Sequence, residues 1–223
     1  CKNSKNIDLR CLSVHIGSQI LNHKPYEKML NVIAKIINKT RHKFEFIDLG
    51  GGMGISYDNS GKILNYKKYS LAIQKFLKNY KSKIIFEPGR SIVGNTGTLI
   101  SRVIYIKDSE RKKFIILDAA MNDLIRPALY GAQHKILPSI KTNKNSKKTY
   151  EFVGPICEST DKFIVLKKFQ QLREKDIIVM CDVGAYGMSL ASNYNLRTKP
   201  IEILIKGSKI KIIKKRQKHK DLI

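Results

Sequence analysis

Four short motifs follow one another along this chain: HIGSQ at 15–19, DLGGGMG at 48–54, EPGRS at 87–91 and GPICESTD at 154–161. Each carries residue types with a definite chemical use. Consecutive glycines Gly50, Gly51 and Gly52, placed after a strand-like run, let the backbone approach a phosphate and aim amide hydrogens at it. Tight strand-to-helix turns use glycine as well, and the GK[ST] ending of a P-loop does not follow. Glu87 closes another strand-like run, where a carboxylate is costly to bury without a partner. A protonated pyridine nitrogen would be such a partner, and the ring would then serve as an electron sink. Pro88 and Gly89 turn the chain so that Arg90 follows. Its planar fork binds a carboxylate, or it pairs with Glu87 at the surface. His15 can stack on an aromatic ring and the Ser18 hydroxyl can reach a phosphate, although a lone histidine at a strand end also serves structure. Cys157, with Glu158 and Asp161 near it, can deliver a proton to a carbanion. The alternative is a buried free cysteine near a turn.

Two further segments suit the same pocket. In NDLIRPALY, 122–130, Arg126 and Tyr130 are one helical turn apart and suited to a second carboxylate; a plain helix start at Pro127 explains them equally. In DVGAYG, 182–187, Tyr186 lies between small residues from which its hydroxyl can reach a phosphate or a substrate. A phosphate-bearing aromatic cofactor and an amino-acid substrate would together employ all of these groups.

The elements that must position them are readable from periodicity. LRCLSVHIGS, 9–18, is a short apolar run ending in small residues, as a buried parallel strand does, with His15 at its C-terminal end. Residues 25–39 open with Pro25 and space Tyr26, Met29, Leu30, Ile33, Ile36 and Ile37 as an amphipathic helix. A strand over 44–50, a helix over 67–80 with Tyr69, Leu71, Ile73, Phe76 and Leu77 as its apolar residues, and a strand over 83–89 complete an alternating pattern. That pattern implies parallel strands whose C-terminal ends carry the chemistry, as in α/β barrels. Three such strands cannot close a barrel of eight, so residues 1–93 read as its C-terminal part. A small three-stranded α/β unit is the alternative. From residue 94 to 223 the chain changes to short apolar runs parted by turn signals: TLISRVIYIK, KFIILDA, YEFVGPI, DIIVMCDVGA, IEILIKG and KIKIIKK. This spacing suits an antiparallel β domain, with Lys141 to Lys148 as a polar surface loop.

Composition narrows the function classes. Its 42 % hydrophobic residues are enough for a core. No apolar stretch approaches the roughly 18 residues of a membrane span, and no basic-then-apolar leader opens the chain. Cys1, Cys11, Cys157 and Cys181 lack metal-like pairing, and a chain of this size does not depend on disulfides, which favours a reducing, cytoplasmic setting. With 43 Lys+Arg against 18 Asp+Glu the formal net charge is +25, which raises nucleic-acid binding. The lysines are spread over the whole chain, however, and the densest clusters have no interleaved aromatic stacking platform. A Lys-, Ile- and Asn-rich composition is also what an AT-rich genome encodes.

Taken jointly, LSVHIGSQ, IDLGGGMGI, FEPGRSIVGNTG, LDAAMNDLIRPALY, VGPICES and DVGAYGMSLASNYN resemble the diaminopimelate decarboxylase family from about Leu12 to near the end of the chain. The resemblance implies a pyridoxal 5'-phosphate enzyme with an alanine racemase-like (β/α)8 barrel followed by a β domain. It implies that Gly50, Gly51, Gly52, Ser18 and Tyr186 surround the phosphate, that His15 stacks on the ring, and that Glu87 pairs with its nitrogen. It implies substrate contacts from Arg90, Arg126, Tyr130, Glu158 and Tyr186, with Cys157 as proton donor. In that family Cys157 and Glu158 would act across a homodimer interface. The implied reaction converts meso-diaminopimelate to L-lysine and CO2. Relatives acting on ornithine or arginine share HxGS, GGG, EPGR and the cysteine, but Arg126 and Glu158 favour diaminopimelate. Gly94 and Ala120 depart from the family pattern by small swaps. The lysine that holds the cofactor in this family belongs to an early barrel strand, and neither Lys24 nor Lys135 lies in such a context. A decayed, non-catalytic remnant is therefore the other reading of this chain.

Overall fold

The computed structural model of the chain describes residues 4–57 and 60–222, so Cys1 lies outside the described residues. It divides into two compact units, Cys1–Gly94 and Asn95–Ile223. In the first, strands β1 (Cys11–Ser13), β2 (Phe46–Asp48) and β3 (Lys83–Ile85) pair in parallel in that order. Helix α1 (Lys24–Thr40) joins β1 to β2, and α2 (Tyr66–Leu77) joins β2 to β3. Pro25 sits in the first turn of α1, where its missing N–H has no helical role, and Arg41 stops the helix in the left-handed region with its N–H on Ile37 O. The Asn65 side chain caps α2 by accepting from Lys68 N–H at 2.9 Å.

The apolar stripes of both helices face the strands. Tyr26, Met29, Leu30 and Ile33 of α1, and Tyr69, Ile73 and Phe76 of α2, form one core with Ile47 and Leu49. Leu71, expected on the apolar face of α2, is instead exposed. Each strand is shorter than its apolar run. The β1–β2 ladder ends at Ser13 opposite Asp48, because Gly50 takes a φ of +63° and turns the chain out of the sheet. His15 and Glu87 accordingly lie two residues beyond their strands, in the loops, rather than in the strands themselves. A four-residue helix, α3 (Arg90–Val93), follows Gly89.

The second unit is built on six strands: β4 (Leu99–Asp108), β5 (Lys112–Leu117), β6 (Ile136–Pro138), β7 (Thr149–Val153), β8 (Lys162–Leu166) and β9 (Ile177–Met180), in spatial order β6-β9-β4-β5-β7-β8. The sheet is mixed, which corrects the expectation of an antiparallel domain, since β5 and β7 run parallel from Lys112↔Thr149 to Ile116↔Val153. The cause is the long crossover over 118–148, which holds α4 (Arg126–Tyr130) and β6. A dozen or more connecting residues allow a parallel return that a tight hairpin forbids. Strands β6 and β8 had no counterpart in the periodicity. β6 has only three residues, and the KFIVL of β8 is flanked by charge. Val103, Ile115, Leu117, Tyr150, Phe152, Ile178 and Met180 form the core. A separate hairpin pairs β10 (Glu202–Lys206) with β11 (Lys209–Lys214), and Lys141 to Lys148 is a loop with one bridge, Asn145 to Gln170.

Glu151, buried on central strand β7, is an acid in this sheet. Burial pushes its pKa up, but Lys112 at 2.5 Å and Lys162 at 3.4 Å outweigh that and hold it below the usual carboxylate value. A carboxylate with a lowered folded pKa stabilises the fold above its unfolded value of about 4.3, and that contribution is lost as pH falls through the folded pKa. Glu151→Gln should therefore destabilise the protein by about 1–3 kcal/mol at pH 7. The loss should shrink toward zero below pH 4 in urea melts taken across pH. A difference that does not vary with pH would refute this assignment.

Candidate functional site

The predicted residues of the first unit gather at the C-terminal ends of β1, β2 and β3. Asp48, the last residue of β2, accepts from Ser13 Oγ at 3.1 Å and from the Gly50 N–H at 2.8 Å, which fixes the start of the glycine loop. The three glycines are then required by close backbone approach. A Cβ on Gly50 would lie 2.6 Å from Val14 O, one on Gly51 2.2 Å from Glu87 O, and one on Gly52 2.2 Å from Gly17 O. The loop thus draws together the segments that follow β1 and β3. Ile20 N–H donates to Gly52 O and Glu87 N–H to Gly50 O, each at 2.9 Å. Tyr26, buried in α1, supports the loop from below by donating to Gly51 O at 3.1 Å. Its burial pushes the phenol pKa up to about 12, so it remains a donor at neutral pH.

His15 is exposed and borders Gly50, its Nδ1 lying 3.0 Å from where a Gly50 Cβ would stand. Arg90 donates to Ser18 Oγ at 3.1 Å and to the Tyr57 hydroxyl at 2.5 Å, and its guanidinium lies 5.5 Å from the Tyr57 ring centroid. Glu87 is exposed beside Pro88 and Gly89. This corner therefore presents a hydroxyl, a guanidinium, an imidazole, a carboxylate and a glycine backbone. The set fits a phosphate and a protonated aromatic nitrogen, because it offers donors to the one and a carboxylate to the other.

In the second unit Arg126 opens α4 and is only 6 % exposed, whereas Tyr130 is 68 % exposed. Nη1 of Arg126 lies 3.0 Å from Nε2 of His134, and Nδ1 of His134 lies 3.0 Å from Cys181 O. A carbonyl only accepts and a guanidinium only donates, so His134 carries its proton on Nδ1 and presents the Nε2 lone pair to Arg126. Cys157 is exposed on the β7–β8 loop, and Glu158 accepts from the Tyr194 hydroxyl at 3.4 Å. That loop is organised by Asp161, which accepts from Met121 N–H at 2.7 Å and Ile156 N–H at 2.9 Å. Tyr186 adopts a φ of +62°, unusual for a bulky residue, in the turn after β9.

Sequence reasoning overlooked Asp48, Tyr26, Tyr57 and His134 as parts of these arrangements, and it placed Asp161 beside Cys157 without its role in ordering the loop. Asp48, two residues before the glycines, and Asp161, closing GPICESTD, were visible in the motifs. Tyr26, Tyr57 and His134 stand just outside the motifs, seven residues beyond HIGSQ, three beyond DLGGGMG and four beyond NDLIRPALY, where no local pattern marks them. Among the described residues, no cluster of acids, histidines and cysteines could hold a metal ion, and no helix is long and apolar enough to cross a membrane.

Residues 15–184 match the family described as pyridoxal-dependent decarboxylase, C-terminal sheet domain. The chain belongs to that family. It is 37 % identical over 218 residues to a diaminopimelate decarboxylase of Aquifex aeolicus, covering 96 % of this chain and 52 % of the relative. It is 40 % identical over 211 residues to that of Helicobacter pylori, covering 93 % and 52 %. Among solved structures, a Helicobacter pylori diaminopimelate decarboxylase complexed with L-lysine superposes with a TM-score of 0.90 at 38 % identity, covering 99 % of this chain and 55 % of the other. One from M. jannaschii, also in complex with L-lysine, gives 0.88 at 32 %, covering 94 % and 50 %. The chain spans about half the length of the curated relatives it matches.

Proposed function

We propose that the protein serves the pyridoxal 5'-phosphate-dependent decarboxylation of meso-2,6-diaminopimelate to L-lysine and CO2, the closing step of lysine biosynthesis. The observation that carries this reading is the likeness, through nearly the whole chain, to diaminopimelate decarboxylases solved with L-lysine, the product such a reaction releases. On this reading residues 1–93 are the C-terminal part of an alanine racemase-like (β/α)8 barrel and 94–223 its β domain. The working form is a cytoplasmic homodimer with shared sites.

Ser18, the Gly50–Gly52 backbone and Tyr186 bind the cofactor phosphate, and Arg90 holds the Ser18 hydroxyl in place. His15 lies against the ring face, and Glu87, in its Pro88–Gly89 turn, holds the proton on the ring nitrogen. Bound there, the cofactor supplies a cationic ring that accepts the electron pair left when the carboxylate departs as CO2. Arg90, Arg126, Tyr130, Glu158 and Tyr186 orient the substrate. The Cys157 thiol then gives its proton to the carbon that lost CO2 and recovers one from water.

The deciding experiment is the intact mass of the protein from its source after borohydride reduction, which fixes the cofactor to the lysine that carries it. A longer chain bearing one reduced cofactor supports the reading. A 223-residue chain without adduct supports either a separate partner chain that carries the lysine or the non-catalytic remnant. In the cofactor-loaded enzyme, Arg126→Lys should raise KM for diaminopimelate by about 10- to 100-fold, because an ammonium replaces a planar fork. Cofactor absorbance should be unchanged, and an unaltered KM would remove Arg126 from the substrate site.

A further inference from the structure

We infer that Asp161 is the positioning residue that sets Cys157 and Glu158 for proton delivery, an inference that rests on the decarboxylase reading. Its side chain is 3 % exposed, and both carboxylate oxygens take backbone hydrogen bonds. Oδ2 accepts from Ile156, on one side of Cys157, at 2.9 Å. The Asp161 N–H donates to the carbonyl of Glu158, on the other side, at 3.0 Å. Cys157 is thus held between two residues that Asp161 grips directly. The loop is closed at its base, where Gly154 N–H donates to Asp161 O at 3.0 Å. A Cβ on Gly154 would fall 2.2 Å and 2.4 Å from the two carboxylate oxygens, so the glycine makes room for this acid.

The second oxygen reaches outside the loop. Oδ1 accepts from Met121 at 2.7 Å, in the LDAAMNDLIRPALY segment whose helix begins with Arg126. One buried carboxylate therefore ties the segment bearing the expected proton donor to the one bearing the expected substrate-binding arginine. Burying an acid is costly unless donors are aimed at it. Here those donors are fixed backbone groups, so the loop has one arrangement in which the acid is satisfied. A neutral amide of the same shape cannot replace it, because its NH2 would face a backbone N–H, donor against donor.

Asp161→Asn should leave cofactor absorbance intact and lower kcat per borohydride-titrated site by about 10- to 100-fold, the cost of misplacing a reacting group by an ångström or less. KM should stay within about threefold, and the iodoacetamide alkylation rate of Cys157, read by peptide mass spectrometry against Cys11, should change by more than about threefold. Either kcat per site or the Cys157 rate within about twofold of the unsubstituted protein overturns the inference. If Asp161→Asn does not fold, Gly154→Ala, which pushes a methyl into the carboxylate, is read in the same way. Independently of any variant, the Ile156 and Met121 amides should exchange slowly with deuterium, and exchange as fast as that of Lys144 in the surface loop also overturns it. Failure of the unsubstituted protein to release CO2 from diaminopimelate would instead refute the decarboxylase reading, while the alkylation rates still report on Asp161.

Discussion

Cys157→Ala in the cofactor-loaded enzyme should lower kcat by about 100- to 10,000-fold, the usual contribution of a positioned general acid, with KM and cofactor absorbance little changed. The size of the loss follows from what remains. On the decarboxylase reading, Glu87 and the glycine corner would still bind the cofactor and Arg126 would still present its guanidinium, so CO2 could still leave. No other thiol belongs to the loop to return the proton: Cys181 follows β9 and Cys11 opens β1. Cys157→Ser, which keeps a hydroxyl of much higher pKa, should recover only a small part of the rate. Turnover per cofactor-bearing site equal to that of the unsubstituted protein would remove Cys157 from the proton path.

Gly52→Ala should destabilise the first unit by about 2–5 kcal/mol, combining a left-handed backbone cost of about 1–2 kcal/mol with a clash of about 1–3 kcal/mol. Gly52 has a φ of +88°, and its added methyl would meet the Gly17 carbonyl at 2.2 Å, a backbone atom that cannot swing aside. The hydrogen bond from Ile20 N–H to Gly52 O lies beside that contact. The loop carrying Ser18 should shift with it and, on the decarboxylase reading, the hold on the cofactor's phosphate should weaken as well as the fold. Urea unfolding followed by tyrosine fluorescence gives the first effect, and cofactor titration the second. Gly61→Ala is the matched control, since it too has positive φ but nothing within 4 Å of its Cβ position. It should lose only the backbone part, and equal losses at the two positions would refute the close-approach argument.

Much of the local structure was legible because periodicity reports which face of an element is buried. The stripe of Tyr26, Met29, Leu30 and Ile33 could serve only a helix packed on one side. Strand ends were less legible: β1 and β3 stop where glycine-rich neighbours turn the chain, so His15 and Glu87 lie in loops. The parallel pairing of β5 with β7 was hidden as well, because the direction of a pair is set by a crossover of some thirty residues and not by the strands' own residues.

The sequence by itself determined which chemical groups are present and in what order: HIGSQ, GGG, EPGR, IRPALY, CES and DVGAYG, with the decarboxylase resemblance they carry together. Residue type and local spacing suffice for that. What the tertiary structure decided is why the glycines have to be glycines and what holds the reactive loops. Gly51 is required by the Glu87 carbonyl, 36 residues away. Arg126 is met by His134, which in turn is anchored on Cys181 O, and Cys157 is framed by an acid whose other oxygen binds Met121. Each of these is a contact between backbone or buried polar atoms brought together by folding. Hydrogen-bond satisfaction in a low-dielectric interior is decided by three-dimensional neighbours, which no spacing along the chain specifies.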